Sequence, residues 1–182
     1  MQSSNSYYSG NKPLTLSKYV SKQVNYWLIK SEPNDYSIQD LKQEKQTIWD
    51  GVRNYQARNF LRKMAINDLA FFYHSNTKIP GIVGLSKIVA SDVIDPTQFD
   101  AQSRYYDAKS TVNSPRWYTV TVEFVTAFDN IIPLTTLKTE FTPEEFLVVR
   151  KGNRLSIMPV MPEVAAKILE IANVSLNNLV EK

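Results

Sequence analysis

Trp49-Asp50-Gly51-Val52-Arg53-Asn54-Tyr55-Gln56-Ala57-Arg58-Asn59-Phe60-Leu61-Arg62 is the stretch whose reading decides the fold. Its first half reads as a turn around Gly51. Its second half has helical spacing: Ala57, Phe60, Leu61 and Met64 share one face, and Asn54, Arg58 and Arg62 follow at i, i+4 and i+8 on another. The sequence predicts a helix running to about Ala65. Backbone N–H groups at a helix start lack intrahelical partners and suit an anion such as phosphate. An aromatic ring beside an anion site is what nucleotide binding requires.

Upstream, Tyr26-Trp27-Leu28-Ile29-Lys30 reads as a buried strand stopped at Ser31-Glu32-Pro33. Ser37 caps a short helix, with Asp40 in the capping-box position. Downstream, Leu69 to His74 is an aromatic-rich strand, and Ile79-Pro80-Gly81 is a turn. Ile82 to Ala90 returns as a strand, with Gly84 as a bulge or a point of close approach. Residues 91–116 read as irregular. Trp117 to Val125 alternates as a strand, and Pro133 and Pro143 each sit where a short helix could begin. Gly152-Asn153 turns into a strand from Arg154 to Val160, and a helix follows from Pro162 to about Ala172. Strands separated by hairpins and short helices predict an α+β fold with a mixed sheet or barrel.

The chain has 182 residues, enough for one well-cored domain. It has no Cys and one His, which excludes a disulfide frame, a thiolate metal site and a multi-histidine site within one chain. No cofactor and no metal are expected. No apolar run approaches a membrane span, and the N-terminus does not read as a signal peptide, so the cytoplasm is the default expectation, or the nucleus if the source is eukaryotic. The net charge is +3, but residues 1–24 hold Lys12, Lys18 and Lys22 with no acid, leaving 18 basic against 18 acidic residues. The expected organisation is a basic tail at 1–24, a domain at 25–175 and a C-terminal tail at 176–182. Any anion site must then be a local cluster.

Seven ordered runs carry a resemblance: Trp27 to Pro33, Trp49 to Asn59, Phe72 to Asn76, Pro80 to Gly84, Tyr105 to Ser110, Pro115-Arg116-Trp117 and Gly152 to Val160. Together they resemble the EVE domain, a member of the PUA-like superfamily and a relative of the YTH domain. The resemblance implies a PUA-like mixed β-barrel with flanking helices and a binding rather than a catalytic function. It implies a DNA or RNA partner, with a modified or flipped-out base, such as methylated or hydroxymethylated cytosine, held in an aromatic and polar pocket. Lys30 and Ser31 correspond to strand-end residues lining the YTH base pocket, and Trp49 lies about where a cage Trp sits there.

The candidate base pocket comprises Lys30, Ser31, Trp49, Val52, Asn54, His74, Ser75, Leu155 and Ser156. The candidate phosphate contacts are Arg53, Arg58, Arg62, Arg116 and Arg154. Several have a structural alternative. Trp49 is a stacking ring or a core Trp; as a stacking ring, its truncation would weaken binding and spare the fold. Ser31 reads a base edge or stabilises a turn, and Asn54 reads a base edge or caps the helix. Arg53, Arg58 and Arg62 hold phosphate or form a solvated helix face. Arg154 reaches the ligand or makes a surface ion pair. His74 donates to a base or satisfies a structural bond. A hydrolase or nucleotide-processing site built on His74 with Glu32 or Asp50 is the enzymatic alternative. Adjacent strand residues point to opposite faces, so His74 and Ser75 do not make a Ser–His couple. A small-ligand or protein-binding module is a third reading.

Overall fold

The computed structural model describes residues 24–175. The tails expected at both ends, Val24 apart, lie outside the described residues. Six strands form one mixed sheet: β1 (Tyr26–Ser31), β2 (Gln46–Ile48), β3 (Leu69–His74), β4 (Gly81–Ile94), β5 (Tyr118–Pro133) and β6 (Ile157–Val160). Four helices accompany them: α1 (Ile38–Glu44), α2 (Tyr55–Leu61), α3 (Leu134–Glu140) and α4 (Pro162–Ile171). The order across the sheet is β2-β5-β4-β3-β1-β6. β1 and β3 pair in parallel; the other neighbours are antiparallel.

Alternation within the central strands splits the core between two faces. Leu28, Phe71 and Tyr73 face one cluster, which is completed by Leu137, Phe146 and the apolar side of α4. Trp27, Ile29, Ala70 and Phe72 face the other, covered by Ile38 and Leu41 of α1 and by Ala57 and Leu61 of α2. α2 touches both β5 and β6, bridging strands near opposite ends of the sheet order.

Local chemistry sets the helix starts. Ser37 and Asp40 form the expected capping box. Asn54 caps α2, its Oδ1 accepting from Ala57 N at 3.0 Å. α2 ends at Leu61, short of Ala65, because the chain turns at Lys63 and Met64 to bring Met64 into the core. Pro133 precedes α3 as expected. Pro143 instead leads through a turn to a short 3-10 segment at Leu147–Val149. Gly84 sits beside register shifts on both of its neighbours, and a Cβ there would come within 2.5 Å of the Thr126 carbonyl oxygen. β4 and β5 run longer than the sequence predicts: residues 91–94 of β4 are largely exposed and pair with the start of β5, while the extension of β5 carries Phe128 and Ile132 into the core.

Candidate nucleic-acid interface

Parallel pairing brings the C-terminal ends of β1 and β3 side by side. Ser75 N donates to the Ser31 carbonyl at 2.8 Å, continuing the ladder by one residue. β6 runs antiparallel to β1, so its N-terminal approach reaches the same end, where Lys30 N donates to the Ser156 carbonyl at 2.8 Å. The segment between β2 and α2 faces them. Between these edges opens a cleft of about 670 Å³. It is lined by ten of the fourteen candidate residues: Lys30, Ser31, Trp49, Val52, Arg53, Asn54, Ser75, Arg154, Leu155 and Ser156.

The segment from Trp49 to Asn54 is held from beneath. Trp49 N donates to the Val120 carbonyl at 2.9 Å, and Thr119 Oγ1 donates to the Trp49 carbonyl. Gly51 adopts φ +77°, and a Cβ there would fall 2.5 Å from the Tyr105 ring. Only Gly combines that backbone with that packing. Gly51 N donates to Asp95 Oδ2 at 3.0 Å.

Trp49 is a core residue that also borders the cleft. Only 7% of it is exposed. The indole meets Phe72 edge to face at 5.3 Å and Tyr36 at 6.3 Å. A freely presented stacking face is therefore replaced by a fixed wall.

Arg53 lines the cleft, yet the protein occupies its guanidinium. Nη1 reaches Asp95 Oδ2 at 2.7 Å, Nη2 reaches Thr97 Oγ1 at 2.8 Å, and Nε reaches the Tyr105 carbonyl at 2.7 Å. Its expected role as a phosphate contact gives way to one of holding the cleft loops together. Arg154 is exposed at the mouth of the cleft and has no carboxylate within ion-pair distance among the described residues. Lys30 Nζ lies 5.5 Å from the Tyr73 ring centroid, and burial pulls its ammonium below the usual lysine range. Asp50, at the rim, is held above the usual carboxylate range by desolvation and then by the neighbouring Asp95 carboxylate.

Four candidates lie outside the cleft. His74 Nε2 accepts from Ile38 N at 3.2 Å, and its ring meets Phe72 edge-on at 5.6 Å. It buttresses the start of α1 and presents no donor to the cleft. Its Nε2 is engaged there, and His74 is not among the residues that line the cleft with Glu32 and Asp50. Arg58 donates to the Arg116 carbonyl at 2.8 Å and lies over Tyr55. Arg62 pairs with Asp92 at 3.0 Å and lies over Tyr118. Arg116 pairs with Asp107 at 3.0 Å and bonds the Tyr55 hydroxyl. Arg58 and Arg116 tie α2 to the loop before β5, and Arg62 ties the end of α2 to β4 and β5. Trp117 joins the tie between α2 and that loop: Tyr55 stacks on it at 4.8 Å, and its Nε1 donates to Asp107 at 2.7 Å.

Sequence reasoning missed Asp95, Gln98, Arg104 and Tyr105, all in the stretch read as irregular. Asp95 caps a 3-10 turn at Pro96–Gln98, a signal that Asp95-Pro96-Thr97 carries openly. Buried Gln98 bonds the carbonyls of Asp95 and Trp117 and accepts from Arg116 N and Trp117 N, so it ties the ends of the loop together. Arg104 lines the cleft and pairs with Asp35 at 2.7 Å.

Comparison with known proteins accords with this architecture. Thymocyte nuclear protein 1 of Mus musculus is 48% identical over 157 residues, covering 76% of this chain and 70% of the mouse protein. A crystal structure from Pseudomonas syringae superposes with a TM-score of 0.78 at 49% identity, covering 81% of this chain and 99% of that one. Human THYN1 protein in complex with 5-methylcytosine-containing DNA superposes at 0.77 with 41% identity, covering 84% of this chain and 99% of that one. The EVE domain profile matches residues 25–171, and the chain belongs to the EVE domain family.

Proposed function

We propose that this protein is a non-catalytic nucleic-acid reader that seats a flipped-out modified cytosine in the cleft. The observation that carries the reading is the convergence of Lys30, Ser31, Asn54, Ser75, Arg154 and Ser156 with the apolar Trp49, Val52 and Leu155 around one open hollow. The complex of human THYN1 with 5-methylcytosine-containing DNA supports it.

A cytosine edge offers two acceptors and one amino donor. Serine hydroxyls and the Asn54 amide supply partners of both kinds. Asn54 Oδ1 is committed to the helix cap, which leaves its Nδ2 as the donor it can offer a ligand. A 5-methyl group needs an apolar wall, and Val52, Leu155 and the Trp49 edge provide one. Burying one methyl is worth about 0.8 kcal/mol, about a fourfold preference over cytosine. Hydrogen bonds fix the orientation, because a buried polar group left unpaired costs about 1–3 kcal/mol. Extruding the base costs a few kcal/mol, so single-stranded or mismatched targets bind more tightly than perfect duplexes.

The test titrates the protein with oligonucleotides that differ only in carrying cytosine, 5-methylcytosine or 5-hydroxymethylcytosine. Tighter binding to a modified form is expected. Equal affinity for all three removes the modified-base reading.

A further inference from the structure

A second hollow, of about 340 Å³, adjoins the cleft. Lys30 and Ser75 border both. One loop also serves both: Arg150 and Lys151 reach the second hollow, while Arg154, Leu155 and Ser156 reach the cleft. The loop is stapled in place. Asn153 Nδ2 donates to the Leu147 carbonyl at 2.6 Å, Asn153 N to the Arg150 carbonyl at 3.2 Å, and Leu155 N to Asn153 Oδ1 at 3.0 Å.

The second hollow has a one-sided charge. Lys30, Lys138, Arg150 and Lys151 line it, and no Asp or Glu does. Among the described residues, no carboxylate pairs with Lys138, Arg150 or Lys151. Arg53, Arg62, Arg104 and Arg116, by contrast, are each matched to an acid. Beyond residue 24 the chain carries equal numbers of basic and acidic residues, so this is a local excess rather than a general positive field. Leu134, Val148 and the Tyr73 ring give the hollow an apolar floor.

We infer that the second hollow is a phosphodiester subsite, which grips the backbone linkage next to the base seated in the cleft. The inference rests on the base-binding reading above. A base entering the cleft carries its own sugar and phosphate past the Lys30–Ser75 divide. The neighbouring surface offers cations without counter-charges, and an apolar floor suited to the flat side of a sugar. Backbone contacts of this kind fix register and add salt-sensitive affinity without reading the base.

The experiment uses the full chain and a labelled single-stranded oligonucleotide with one central 5-methylcytosine, titrated over a range of salt concentrations. Lys138→Gln, Arg150→Gln and Lys151→Gln are combined in one variant. Lys42→Gln, Lys63→Gln and Lys109→Gln, exposed and lining neither hollow, make a control with the same charge change. The first variant is expected to bind about 10-fold or more weakly at low salt. Its log–log salt slope becomes shallower by about 0.7 for each phosphate that the protein no longer neutralises. Its preference for 5-methylcytosine over cytosine stays unchanged. A neutral methylphosphonate at the linkage flanking the modified base weakens wild type and leaves the variant indifferent.

Equal slopes for the two triple variants overturn the subsite while leaving the base reading intact. Loss of the methyl preference in the first variant also overturns it, since those residues would then act on the base. A silent methylphosphonate, with inorganic phosphate competing better than sulfate at equal ionic strength, would assign the hollow to a free anion instead. A wild-type protein with no affinity for any oligonucleotide overturns both readings.

Discussion

Asp95 Oδ2 accepts from Arg53 Nη1 at 2.7 Å and from Gly51 N at 3.0 Å, so one carboxylate ties both the turn and the guanidinium of the segment entering α2. The Asp95 side chain is 2% exposed and that of Arg53 20%. Removing one partner leaves the other with an unmatched charge in a largely dry setting. Asp95→Ala is expected to destabilise the fold by about 2–3 kcal/mol, less than for a fully buried pair because Arg53 keeps some water. Urea unfolding measures it. A loss below about 0.5 kcal/mol would show that Asp95 does not organise the cleft.

Trp49→Ala removes an indole packed against Phe72 and Tyr36. Large-to-small changes in a core cost about 3–5 kcal/mol, so the expected result is severe destabilisation together with abolished binding. Trp49→Phe keeps much of the packing and is expected to fold while discriminating less well between methylated and unmethylated cytosine. A stable Trp49→Ala protein, judged by thermal melting, would contradict the burial argument.

Arg154 is free of ion pairs at the mouth of the cleft among the described residues. Arg154→Gln is expected to leave stability within about 0.5 kcal/mol, as exposed substitutions do. Oligonucleotide affinity should fall by about 10-fold, matching one charge-assisted hydrogen bond of about 1.5 kcal/mol. Paired melting and binding measurements separate the two effects. Unchanged affinity removes Arg154 from the interface.

His74 must be neutral for Nε2 to accept from Ile38 N. Burial holds its pKa below the ordinary histidine value of 6.5, against a smaller opposing pull from Asp40. The unfolded chain therefore takes up the proton first as pH falls. Stability is expected to decline as pH drops below about 6.5, and to level off for this group once the folded protein is protonated too. His74→Gln keeps an acceptor without titrating, so its stability should be flatter between about pH 7 and 5. Identical pH profiles for the two proteins would exclude His74 as the source.

The sheet was legible because its central strands are nearly unbroken apolar runs. Trp27-Leu28-Ile29 and Ala70-Phe71-Phe72-Tyr73 can be buried only on both faces, and they are. Caps were legible too, since Ser37-to-Asp40 and Asn54 act within one turn of chain. β2 went unseen: three residues, Gln46–Ile48, form an edge strand with no periodicity to read. The residues around the cleft were legible as a set, through ordered runs that resemble a family. Their individual duties were not. Arg53, Arg58 and Arg116 look alike in sequence, and only the position of Asp95, Asp107 and the carbonyls across the fold decides which guanidinium is occupied. His74 shows the same limit, because its partner, Ile38 N, lies 36 residues away.

The bond from Ser75 N to the Ser31 carbonyl makes one wall of the cleft a continuation of the parallel β1–β3 ladder. Its main-chain geometry cannot be altered without disturbing the middle of the molecule. The adjoining rim, from Arg150 to Ser156, hangs on a few bonds around Asn153 before it joins β6. Substitutions in that rim can therefore reshape what the hollow accepts, while the wall beside it stays fixed by the sheet.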